Sequence, residues 1–94
     1  MSTFDQIAVK IIKEQELIIG PLAWQEAGKV NGMNIINTQS GAVVVENGDP
    51  KLVIDKLVAQ YDRLFGRASR EVCKEAAAPF LTTLTPAEVP FSLK

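Results

Sequence analysis

Apolar residues recur at helical spacing from Phe4 to about Ile19. Phe4, Ile7, Ile11, Gln15 and Ile18 fall on one face, with Ala8, Ile12 and Ile19 beside them, while Lys10, Lys13 and Glu14 fall outside. Thr3 followed by Gln6 has the form of a capping box for this helix. Gly20-Pro21 ends it, because proline lacks an N–H and disfavours helix at the residue before it. Pro21 then suits the first position of a second helix, to about Lys29, stopped by Gly28 and Asn31-Gly32.

The period changes next. Met33–Asn37 and Ala42–Glu46 are rich in β-branched residues and are joined by Thr38-Gln39-Ser40-Gly41, which predicts a hairpin. Two strands alone are barely stable in water, so the hairpin must lie on the helices or be extended by another chain. Asn47-Gly48-Asp49-Pro50 is a helix start, with Asp49 as cap and Pro50 at the first helical position. A broad apolar stripe follows through Ile54, Leu57, Val58, Tyr61, Leu64, Phe65, Ala68 and Val72, and the pattern persists to about Ala78. Pro79, Pro86 and Pro90 break up the remainder, although Thr85-Pro86-Ala87-Glu88 can seed one turn. The chain therefore reads as one α+β domain over residues 1–94, of order α-α-β-β-α, with a long third helix and an irregular or partly disordered tail over residues 79–94.

The long helix conflicts with the length of the chain. From Pro50 to Ala76 it would run about 40 Å at about 1.5 Å per residue. A compact domain of 94 residues has a radius of gyration near 12 Å and a diameter near 32 Å, both about. Either the helix breaks at Gly66, or its stripe continues across a second subunit. The second outcome is favoured, because a domain of this size buries only about two-thirds of its unfolded surface and gains from shared burial. A homodimer is the expectation, with Leu57, Tyr61, Leu64, Phe65 and Ala68 as the contact face, or the hairpin edge, or both.

Composition narrows the chemistry. There is no histidine, which removes the commonest general base and the commonest transition-metal ligand. The single cysteine, Cys73, excludes an internal disulfide and makes a poor zinc site with carboxylates alone. It sits toward a helix end with no partner base, so it reads as a buried or boundary thiol rather than a nucleophile. No catalytic, metal or cofactor site is expected. No apolar run approaches the roughly 18–20 residues of a membrane span, and the first residues do not read as a secretory signal. A cytoplasmic setting is therefore expected.

One charged feature stands out in a chain of net charge −1. Lys56, Arg63, Arg67, Arg70 and Lys74 share a helix face nearly opposite the stripe. A solvated face explains them, although like-charge neighbours at this spacing are mildly unfavourable. As a docking strip they suit an acidic protein partner before nucleic acid, since no aromatic side chains are interleaved for stacking on bases. A winged-helix reading of the first helices and hairpin stays open but is disfavoured, because Pro21–Ala27 carries no basic residue and only Lys29 lies near it. Trp24 reads as a core anchor with its N–H on a carbonyl, and Asp55 and Asp62, two turns apart, as surface charges. The expected function is a non-enzymatic, self-associating interaction domain. The alternatives are a nucleic-acid-binding or regulatory protein using the basic face, and a small-ligand sensor using Trp24.

Overall fold

The computed structural model describes residues 2–46 and 48–94, so Met1 and the Asn47 of the third start signal lie outside the described residues. Helix α1 (Thr3–Ile19) starts from a capping box one residue earlier than the sequence predicts, made by Ser2 and Asp5 instead of Thr3 and Gln6. Ser2 Oγ accepts from the Asp5 N–H, and the Ser2 N–H donates to Asp5 Oδ2, each at 3.1 Å. The reason is tertiary. Asp5 Oδ1 also accepts the Val45 N–H at 2.7 Å, so one carboxylate caps the helix and ties it to a strand 40 residues away.

Helix α2 (Leu22–Ala27) follows Gly20, with Pro21 at its N-cap. Strands β1 (Met33–Asn37) and β2 (Ala42–Val45) pair antiparallel, Met33 opposite Val45, with a bulge between Ile35 and Asn37. Met33, Val43 and Val45 point into the core, while Asn34, Ile36 and Val44 face outward. The hairpin lies on the helices, the first of the two arrangements its marginal stability allows.

The expected long third helix is two helices, α3 (Pro50–Phe65) and α4 (Arg67–Leu81). Gly66 joins them at φ +86°, ψ −170°, a conformation open essentially only to glycine. Gly20 uses nearly the same geometry between α1 and α2. At about 24 Å each, the two helices now fit a molecule measuring 32 × 28 × 21 Å. Both pack on α1, and Ile54, Leu57, Val58 and Tyr61 of the stripe are covered by the chain itself. Ile7, Ile11 and Ile12 of α1 meet Ile54, Leu57 and Tyr61 of α3 and Cys73 and Ala77 of α4 in one core, all of them essentially inaccessible. Burying each large aliphatic contributes about 1.5–3 kcal/mol.

The tail is more ordered than its prolines suggest. Helix α4 runs through Pro79 to Leu81, because Phe80 and Leu81 pack against the core and offset the lost backbone bond. Single 3-10 turns follow at Pro86–Glu88 and Phe91–Leu93, the first with the expected Thr85–Glu88 box. Pro90 and Leu93 are buried. Asp55 is no plain surface charge: its Oδ1 accepts the Ser92 N–H at 2.9 Å and the Ser92 hydroxyl at 2.6 Å, latching the tail to α3.

Gly66→Ala tests the joint. No side chain crowds the position, so the cost is backbone strain alone, about 1–3 kcal/mol. In a domain of this size the melting temperature should fall by about 4–8 °C per kcal/mol. Gly28→Ala, at φ −64° and with only ordinary van der Waals contacts, should not lower it in the same thermal scan.

Candidate functional site

The break at Gly66 redistributes the residues singled out on the sequence. Leu57 and Tyr61 are fully buried, so they belong to the core and offer no surface to a partner. The Tyr61 hydroxyl donates to Ala23 O at 2.7 Å, joining α3 to α2, and burial pushes its ionisation above the usual tyrosine range. Phe65 is half-buried against the core, while Leu64 and Ala68, on either side of the joint, are exposed. The five residues therefore do not form one apolar face.

More exposed apolar surface lies at the end of α1, where the helical pattern placed Ile18 on the core-facing side. Leu17 and Ile18, in the last turn of α1, are 82% and 59% exposed. With Lys10, Glu14, Val72, Glu75 and Ala76 they line a shallow groove of about 300 Å³ between α1 and α4. Lys10 and Glu14 pair at 2.9 Å on one side of it. The sequence signal was available: Leu17, Ile18 and Ile19 follow one another, and a helix cannot turn three consecutive aliphatics to one core.

The basic face is divided as well. Lys56 and Arg63 line an open cleft of about 520 Å³ with Lys29, Asn31, Gln60 and Asp62. Arg70 borders a separate hollow with Asp55, Asp62, Phe91 and Ser92. Arg67 is exposed beside the joint and Lys74 is half-buried. Polar side chains organise the cleft. Arg63 Nη2 donates to Gln60 Oε1 at 2.7 Å, and Gln60 Nε2 donates to Glu26 Oε1 at 2.7 Å. Lys29 Nζ donates to the other Glu26 oxygen at 3.0 Å. The hydrogen bonds from Lys29 and Gln60 hold the Glu26 carboxyl below the usual carboxylate range. Lys29 and Glu26 were missed on the sequence because they join the basic face only through the packing of α2 on α3, whereas Gln60 lies on α3 between Lys56 and Arg63 and its spacing was visible.

Trp24 is buried, as expected of an anchor, but its Nε1–H donates to the Glu16 carboxylate at 2.8 Å rather than to a carbonyl. The bond clamps α2 to the end of α1. The hollow beside it is open and is lined by Glu16, Pro21, Gln25, Thr38 and Gln39. Cys73 is buried in the core. Gln15 Nε2 donates to Ser69 O at 2.8 Å and to Cys73 Sγ at 3.4 Å, pinning α1 to α4. Burial pushes the Cys73 thiol up to about 11, so it is fully protonated and not nucleophilic at neutral pH.

Among the described residues there is no group of three or more His, Cys, Asp or Glu that could hold a metal ion, and no helix is long and apolar enough to cross a membrane. No family model matches the chain, and neither a curated protein nor a solved structure matches it.

The raised Cys73 and Tyr61 values give a signed pH dependence. Each group's ionisation is raised on folding, so its contribution is complete below the unfolded value and is lost as pH rises toward the folded one. Urea unfolding should show stability falling from about pH 9 upward, through about 11 for the thiol. Cys73→Ala should flatten the part between those limits. At pH 7 the folded protein should resist a thiol reagent that labels the urea-unfolded chain at once.

Proposed function

We propose that this protein is a non-enzymatic interaction and assembly domain of the cytoplasm that associates with a second copy of itself through the groove between α1 and α4. The exposure of Leu17 and Ile18, side by side at the end of α1 and next to Val72, carries the proposal. Covering both residues in each of two copies contributes about 1.5–3 kcal/mol per side chain. That is offset by an association cost of about 4–15 kcal/mol, which points to a weak, concentration-dependent dimer. A second copy suits the rim, which carries Lys10, Glu14 and Glu75: an isologous contact must complement itself, and a rim of both signs can.

The hairpin offers a second apolar surface, Ile36 and Val44, but the bulge at Ile36 interrupts the ladder that an added strand would extend. Catalysis is disfavoured by the lack of histidine and by a buried, protonated thiol. A continuous nucleic-acid strip is disfavoured by the joint at Gly66, and a sensor built on Trp24 by the burial of the ring and the openness of the hollow beside it.

Light scattering over about 10 µM to 1 mM should show a mass rising toward twice the monomer. Leu17→Glu should hold the protein at the monomer mass without lowering its melting temperature, because the wild-type side chain is largely in solvent. A strict monomer for the parent chain at the top of that range defeats the proposal.

A further inference from the structure

The cleft between α3 and the segment after α2 belongs to neither the core nor the apolar groove. Its cations come from two separate elements: Lys29 from the turn after α2, and Lys56 and Arg63 from α3. They are not equivalent. Lys29 and Glu26 cancel as an ion pair. Among the described residues, Lys56 makes no ion pair and no side-chain hydrogen bond, and Arg63 spends one donor on Gln60. Against Asp62 they leave one positive charge over, in a chain whose net charge is −1.

The polar chain prepares the cleft for an anion. Both oxygens of Glu26 are taken, by Lys29 and by Gln60, so the buried carboxylate does not offer a free acceptor to the opening. Gln60 is thereby oriented with its carbonyl toward Arg63, which fixes the guanidinium before any ligand arrives. A cation held in place loses less freedom on binding than a free one. Lys56 and Arg63 stand two turns apart on one helix, about 10 Å along its axis. A single phosphoryl group engages one of them well; a chain of two or three can reach both, with oxygens left for Lys29 and the Asn31 amide. Guanidinium and ammonium donors to phosphoryl oxygens form charge-assisted bonds, the stronger class of hydrogen bond.

We propose that the cleft lined by Lys29, Asn31, Lys56, Gln60 and Arg63 binds a small ligand carrying two or more linked phosphoryl groups. The site reads the phosphoryl chain, whether free or attached to a nucleoside.

Calorimetric titration of the intact protein at low salt tests this with sodium tripolyphosphate, orthophosphate, citrate and ATP as separate probes. Tripolyphosphate should bind at least about tenfold tighter than orthophosphate, since only it spans both cations. Lys56→Gln and Arg63→Gln should each weaken it about tenfold, while Arg70→Gln, outside the cleft, should leave it unchanged. ATP binding with the same variant pattern assigns the source to a nucleotide; tripolyphosphate binding without ATP assigns it to a free chain. Citrate binding as tightly as tripolyphosphate overturns the phosphoryl assignment. Equal losses for Arg70→Gln and Arg63→Gln overturn the site in favour of diffuse attraction, and absence of binding by every probe overturns it outright. The dimer is read separately by mass, and Lys56 and Arg63 do not line its groove.

Discussion

Everything in this small fold follows from one backbone geometry, the positive-φ, extended-ψ turn at Gly66. A helical pattern of some thirty residues is too long for a globule this size. The turn converts it into α3 and α4, and sends the second back over α1. Only then do Ile54, Leu57, Val58 and Tyr61 of the apolar stripe find cover within the chain. A side chain at residue 66 would oppose the turn through its own backbone preference rather than through any neighbour, since the space around it is open.

Five polar contacts then fix how the elements sit. Asp5 joins the start of α1 to β2, Gln15 joins α1 to α4, Glu16 holds Trp24, Tyr61 reaches Ala23, and Asp55 holds Ser92. Each sets register where apolar packing alone tolerates sliding. Gln15 does so at a cost, because its Oε1 is buried without a partner, which can amount to about 1–3 kcal/mol. The same kind of polar packing, on the outside, aligns Glu26, Gln60 and Arg63 along the cleft.

The elements themselves were legible because their signals are local. The first two helices, the hairpin and the Asp49 cap sit within a residue or two of where periodicity and turn chemistry put them, and Asp49 does accept the Leu52 N–H at 3.2 Å. What was not legible is long-range. The capping box moved from Thr3 to Ser2 because Val45 takes the other oxygen of Asp5. The choice between a break at Gly66 and a shared stripe turned on whether α4 could cover α1, which no window of sequence contains. Choosing the shared stripe then misassigned Leu57 and Tyr61, whose apolar character is identical whether their cover is internal or external. The basic face suffered the same way: its members were visible, but Lys29 and Glu26 join Lys56 and Arg63 only across an interhelical contact.

The latch between Asp55 and Ser92 also has a bearing on the order in which the chain can be assembled. Leu93 closes a core whose other walls are complete by Ala77. Without Leu93, the helices and the hairpin leave one opening beside α3 and α4. That opening is filled by nearly the last residues of the described chain. Until Pro90 and Leu93 dock, the apolar side chains beside α3 stay uncovered. Cutting the chain ahead of Pro90 would leave every helix from α1 to α4 and both strands in place around a core open beside α3.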